Sequence, residues 1–236
     1  MAGPLVGLLV GLFPGVRGAL AQTPEEDVAG SPWQWATSIA VDSDYRFRGV
    51  SLSNDSPSLH LALSVDHISG WYGGAALSST KLDADGQGPQ WLAYLGHTQP
   101  LSDGLAWEVG GTASHFGTNA HYDYAELYAG LATPRWSLRA YWSPDYFGRD
   151  WSSLYAECNA NLPLRDTLRA FAHAGVLMAL TAGETGKPPA RADFSLGLSL
   201  TVEALQWQLA WVGSSRAGPY YDTRRNTAVL SVSAYF

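Results

Sequence analysis

From Trp33 to Phe236, apolar and polar positions alternate with a period of two, and the alternation is interrupted at intervals by short turn-forming runs. In the last segment Ala228, Leu230, Val232, Ala234 and Phe236 share one face, and Thr227, Ser231, Ser233 and Tyr235 share the other. Phe194, Leu196, Leu198 and Leu200 alternate with Ser195, Gly197, Ser199 and Thr201, and Leu205, Trp207, Leu209 and Trp211 alternate with Gln206 and Gln208. Successive side chains of an extended chain point to opposite faces, so each segment reads as a strand with one apolar face and one small, polar or charged face. Twelve strands are predicted, over about 33–43, 58–66, 71–79, 90–98, 105–115, 124–132, 136–144, 152–161, 167–178, 192–201, 205–214 and 226–236. Ten or fourteen are also compatible, because 44–57 has room for a strand extension or an inserted loop.

The connections alternate as well. His67–Gly70, Gln99–Gly104, Thr133–Arg135, Leu162–Asp166 and Val202–Ala204 are short, whereas Lys81–Pro89, Thr181–Ala190 and Ser215–Arg225 are longer and richer in Gly, Asp and Pro. Short turns on one side and long loops on the other describe an up-and-down antiparallel barrel, and an even strand count puts both termini on the short-turn side. Segments of about ten residues suit transmembrane strands. In hydrocarbon every backbone donor and acceptor must be paired internally, so strands span a bilayer only as a closed barrel. The fold class expected is therefore all-β, a transmembrane antiparallel β-barrel over 33–236. A soluble sandwich or lipocalin-like barrel is the competing architecture.

Composition sharpens this picture. Charged residues make up 15% of the chain and aromatic residues 12%, with ten tryptophans. Few charges beside many large aromatics suit a barrel with aromatic girdles at two interfaces, and Trp71, Trp136, Trp142, Trp207 and Trp211 are the girdle candidates. A mean hydropathy of -0.08, with no run of about 20 apolar residues past the N-terminus, argues against a helical membrane protein. Residues 1–21 read as a secretory signal: Leu5–Phe13 is mostly apolar and Ala19-Leu20-Ala21 fits a cleavage site, although no Lys or Arg precedes the apolar run. Residues 22–32 read as a flexible periplasmic lead-in. The expected location is the outer membrane of a Gram-negative bacterium, with its lipid and the barrel assembly machinery as partners. Phe236 is the expected assembly signal.

Cleavage would remove Arg17, one of 14 basic residues, and none of the 21 acidic residues, a balance that disfavours nucleic acid as a partner. Cys158 is the sole cysteine, so neither an internal disulfide nor a Cys-based metal site can form.

In a pore the inward charges set the field. By parity these are Glu108, Glu126, Glu157, Arg139, Arg169, His60 and Asp66, which are predicted to line the lumen. Arginine and glutamate on neighbouring strands also suit a filled, non-conducting interior, as do the inward Tyr124, Tyr128, Tyr141 and Tyr155. Asp44, Arg46 and Arg48 precede the second strand. They are expected to form an ion-pair cluster that folds the first long loop against the wall, with Arg48 at a pore constriction as the functional alternative. A barrel hydrolase would need Ser, His and Asn or Asp converging on the lipid-facing wall. There is no Gly-x-Ser-x-Gly elbow, and His173 falls on the inward face. His115, His121 and Asp123 make at most a weak metal site. No catalytic residue, metal ligand or cofactor is predicted. The loops Pro144–Trp151 and Arg216–Asn226 would suit a recognition surface.

Ser43-Asp44-Tyr45-Arg46-Phe47-Arg48-Gly49-Val50-Ser51, followed by Leu52-Ser53-Asn54-Asp55 and Pro57, resembles the N-terminal signature of the TorF-like porin family of proteobacterial outer-membrane proteins. Gly70-Trp71-Tyr72-Gly73-Gly74 resembles that family's second hairpin, and the similarity runs from about Trp35 to Phe236. The resemblance implies an outer-membrane barrel and a pore. It carries over no catalytic or binding residue. The function expected is passive diffusion of small hydrophilic solutes, with no covalent chemistry.

Overall fold

A computed structural model describes residues 31–83, 86–183, 186–216 and 225–236. The expected signal segment, and the lead-in up to residue 30, lie outside the described residues. The strands are β1 (Trp33–Asp42), β2 (Arg46–Phe47), β3 (Val50–Ser51), β4 (Ser58–His67), β5 (Trp71–Asp83), β6 (Gly86–Ser102) and β7 (Leu105–Phe116). They continue as β8 (Tyr124–Ala132), β9 (Trp136–Ser143), β10 (Ser153–Pro163), β11 (Leu168–Ala179), β12 (Arg191–Val202), β13 (Leu205–Ser214) and β14 (Asn226–Tyr235). Twelve of them close into one antiparallel barrel in the order β1-β14-β13-β12-β11-β10-β9-β8-β7-β6-β5-β4, and β2 and β3 form a separate two-stranded hairpin.

Closure runs through the first and last strands. Ser38 pairs with Tyr235 and Asp42 with Ser231. Beyond the ladder, the Thr37 amide donates to the Phe236 carbonyl at 3.0 Å and the Phe236 amide donates to the Thr37 carbonyl at 2.9 Å. Deleting Phe236 removes both bonds at the seam. The expected result is a lower yield of folded, heat-modifiable barrel on refolding into detergent. An unchanged yield would show that the seam closes without its terminal pair.

The wall follows the alternation. Leu59, Leu61 and Leu63 on β4, Leu196, Leu198 and Leu200 on β12, and Leu209 and Leu230 face outward, where a bilayer supplies their apolar surroundings. Trp33, Trp35, Trp71, Trp136 and Trp207 ring the short-turn end. Trp91, Trp142 and Trp211 stand nearer the long-loop end, and all eight are exposed. The five girdle candidates thus sit on the outer face in two bands, joined by three tryptophans not singled out from the sequence. Cys158 also faces outward.

One connection departs from expectation. Most of Lys81–Pro89, expected as a long loop, is strand: β5 runs on to Asp83 and β6 begins at Gly86. Leu82 explains the extension, because it is 1% exposed and the Lys81 amide beside it donates to the Leu52 carbonyl at 2.7 Å. The first long loop supplies the surface against which this hairpin grows. The last long loop falls mostly outside the described residues, at 217–224.

Candidate functional site: a loop across the lumen

Residues 43–57, between β1 and β4, turn into the barrel. Their chain folds back as the β2–β3 hairpin, pairing Arg46 with Ser51 and Phe47 with Val50. The two turn residues, Arg48 and Gly49, have φ of 50° and 75°, as a primed two-residue hairpin turn requires. A side chain at Gly49 would also strike the wall, since a Cβ there would lie 2.8 Å from the Asp193 Cβ and from the Gly213 carbonyl. Glycine is the residue that permits both the turn and the close approach to β12 and β13.

The loop is held internally by Asp44. Its carboxylate takes the Arg46 Nε at 2.5 Å and the Ser51 hydroxyl at 2.6 Å, while the Arg46 Nη2 donates to Asp55 at 2.9 Å. Of the expected cluster of Asp44, Arg46 and Arg48, only Asp44 and Arg46 pair with each other, joined by Asp55, and Arg48 reaches the barrel wall instead. The loop does not simply lie against one wall, however. On one side the Tyr45 hydroxyl donates to Gln90 of β6 at 3.0 Å, and its ring packs edge-on to His60 of β4. On the far side Arg48 donates to both Glu126 oxygens of β8, at 2.8 and 2.7 Å. The Arg48 guanidinium lies 3.9 Å from the ring centroid of Tyr155 on β10 and 4.7 Å from that of Phe47. The loop thus touches β4, β5, β6, β8, β10, β12 and β13, and it crosses the lumen. Burial by itself disfavours the Arg48 charge, but the Glu126 carboxylate beside it outweighs that effect and holds its pKa well above the ordinary arginine value.

Below the loop, the half of the lumen bounded by β5–β9 is filled. Arg139 donates to Glu108 through Nε at 2.6 Å and Nη2 at 3.2 Å, reaching across β8. Gly130 makes room for this, since a Cβ there would fall 2.8 Å from the Arg139 Cγ and 3.1 Å from a Glu108 oxygen. The Tyr72 hydroxyl donates to Glu108 at 3.0 Å and meets the Tyr128 hydroxyl at 2.8 Å. The half bounded by β10–β14 is filled less completely. There His173 Nε2 and the Tyr155 hydroxyl converge on one Asp193 oxygen at 2.8 and 3.0 Å, and His173 Nδ1 meets Asn159 at 2.8 Å. This half keeps a cavity of about 100 Å³ beneath the loop, lined by Asn159, His173, Asp193, Gln208 and Ser231.

Above the loop, the β9–β10 connection also folds inward. Tyr146, Phe147 and Trp151 are buried, Phe147 stacks on Tyr124 at 4.4 Å, and Tyr146 lies 5.2 Å from Trp151. Pro144–Trp151, a loop that would suit a recognition surface, places these three aromatic side chains in the barrel mouth. Together with Phe47, Val50 and Leu52 they bound a vestibule of about 540 Å³.

Among the predicted lumen residues, Glu108, Glu126, Glu157, Arg139 and His60 are buried on the inner face. His60 Nε2 lies 3.2 Å from Asp42, and the Tyr141 hydroxyl donates to Glu157 at 3.3 Å. Asp66 and Arg169 are half-buried toward the short-turn mouth, on strands nearly opposite in barrel order, and are not brought together. The loop residues Asp44, Arg46 and Arg48 are all buried. His115 is exposed and bonds Asp123 at 2.6 Å, whereas His121 lines the vestibule. Sequence reasoning missed Tyr72, Asp42 and Asp193. The parity that placed Ser195 and Ser199 inward also points to Asp193, one alternation earlier.

The model of a family described as "Bacterial protein of unknown function (Gcw_chp)" matches residues 26–236. The chain belongs to that family. No curated protein sequence matches it. Among solved structures, the NanC porin is similar with a TM-score of 0.59 at 11% identity, over 86% of this chain and 100% of that one. The KdgM porin is similar with a TM-score of 0.56 at 10% identity, over 85% and 99%. KdgM in complex with disordered oligogalacturonate gives 0.55 at 10% identity, over 86% and 99%. At such identities the likeness concerns the fold: this Gcw_chp chain is a closed twelve-stranded antiparallel barrel of the porin type.

Proposed function

We propose that this chain is an outer-membrane channel for small hydrophilic solutes, with its first long loop as the constriction. The observation that carries the reading is the division of the lumen. A vestibule and a smaller polar cavity lie on either side of one loop, the smaller one against the β10–β14 wall. A solute route needs only local movement of that loop, not of the barrel wall. The porin-type fold, the outward apolar face with two tryptophan bands, and the resemblance to TorF-like porins support the same reading, with outer-membrane lipid and the barrel assembly machinery as partners. Solute passage would use no catalytic residue and no cofactor. The residues assigned to the path are Arg48, Glu126, Glu157 and Asp193, with Asp66 and Arg169 at the short-turn mouth. Arg139, Glu108 and Tyr72 are assigned to the filled half.

Single-channel recording of the refolded barrel in a planar bilayer tests this. Small, discrete, salt-dependent steps are expected. Shortening residues 45–55 to a tight turn should enlarge them, as removal of a constriction does. Silence from both folded proteins would remove the channel reading. The packing of the loop against seven strands favours, as the second reading, a non-conducting barrel whose long-loop end is the working surface.

A further inference from the structure

The vestibule has a lining that neither a plug nor a simple water-filled mouth requires. Its floor is the apolar tip of the crossing loop, and one wall is the aromatic set Tyr146, Phe147 and Trp151. Among the described lining residues stand four cationic side chains, Arg149, Lys187, Arg191 and Arg216, against one carboxylate, Asp150. In a chain with 21 acidic and 14 basic residues, that local excess runs opposite to the overall charge. Arg191 is the most telling of the four. It begins β12 at the vestibule wall, and its Nε is buried with no hydrogen-bond partner among the described residues. A buried guanidinium N–H without an acceptor is costly unless a ligand supplies one.

We propose that the vestibule is a binding site for small organic anions that carry a planar apolar face, of which aromatic carboxylates are the class. Guanidinium groups match a carboxylate in geometry and charge. The aromatic side chains and Leu177, the cross-strand partner of Arg191, give the space an apolar lining that shields a flat apolar body from water. A volume of about 540 Å³ suits such a ligand, within the range of roughly 300–1,000 Å³ typical of small-molecule sites. The inference deepens the channel reading by naming a solute class, and it rests on that reading only for the passage of the bound anion onward through the barrel.

The test is isothermal titration calorimetry on the full refolded barrel in a nonionic detergent at low salt. The probes are 2-naphthoate and its neutral counterpart 2-naphthamide, with protein-free micelles as the blank. Naphthoate is expected to bind about tenfold more tightly than the amide, and Arg191→Gln to erase most of that difference. Arg216→Gln, at an exposed position, should reduce naphthoate affinity by a smaller factor. Trp151→Leu should weaken both probes together. Equal affinity for the two probes, or an Arg191→Gln barrel that still prefers the carboxylate, would overturn the proposal. The channel reading fails separately: a barrel silent in bilayers that still binds naphthoate keeps the site and loses the channel, and a conducting barrel without binding does the reverse.

Discussion

Trypsin is expected to cut the Glu126→Ala barrel between Arg48 and Gly49 while sparing that bond in the parent protein. Arg48 is 7% exposed in the parent, and both of its terminal nitrogens are engaged by Glu126. Removing the carboxylate leaves a buried guanidinium without its counter-charge, which costs about 3–5 kcal/mol. The wall itself needs no part of that pair, so the penalty falls on docking of the loop, and its equilibrium constant should drop by about two to four powers of ten. Arg46 stays paired within the loop to Asp44 and Asp55, so the first cleavage should follow Arg48. The same variant should conduct more than the parent. Equal protease resistance in the two proteins would show that Tyr45 on β6 and the Lys81 bond to Leu52 hold the loop without Arg48.

The second large effect belongs to Arg139. Parity alone makes it a lumen charge, one that a reversal would turn into a tuner of ion selectivity. Its surroundings say otherwise, because it is 3% exposed, bonded twice to Glu108, and paired in register with Glu157 on β10. Arg139→Glu would set a third carboxylate among these two in a closed space. The expected outcome is a loss of at least about 3–5 kcal/mol of barrel stability, read as a lower urea midpoint of the folded form in detergent. Adding Glu108→Arg should restore a substantial part of it, as a double-mutant cycle can measure. A stable single variant with an altered reversal potential would instead put Arg139 on the solute path.

The wall of this protein was legible because a period of two leaves little choice. Once Leu196, Leu198 and Leu200 face outward, Ser195, Gly197 and Ser199 must face inward, and the short turns fix which ends the hairpins share. The same parity placed Glu108, Glu126 and Arg139 on the inner face. What the pattern could not carry is the content of the lumen. Arg48 and Glu126 are 78 positions apart in sequence, and nothing local to either marks the other. The two-residue strands of the crossing hairpin are too short for alternation to show. Pro144–Trp151 reads as a polar loop with scattered aromatics, and only the space left above the crossing loop explains why Tyr146, Phe147 and Trp151 turn inward. Tyr72 was hidden in a run of glycines, although it stands one position after the outward Trp71 and so must face in.

The crossing loop is synthesised just after the first strand, yet its seat is built from β4, β5, β6, β8, β10, β12 and β13. It therefore finds its final place only after nearly the whole chain has paired, which makes its docking a late event in folding. Its anchor also depends on pairing being correct to the residue. If β8 slipped by one position, Leu127 would point into the lumen and Glu126 into lipid, and Arg48 would have no carboxylate to meet. A misaligned barrel would keep its backbone hydrogen bonds but leave this segment loose and open to proteases. The loop thus acts as an inspector of assembly as well as an obstruction, favouring for survival those barrels whose strands are in register.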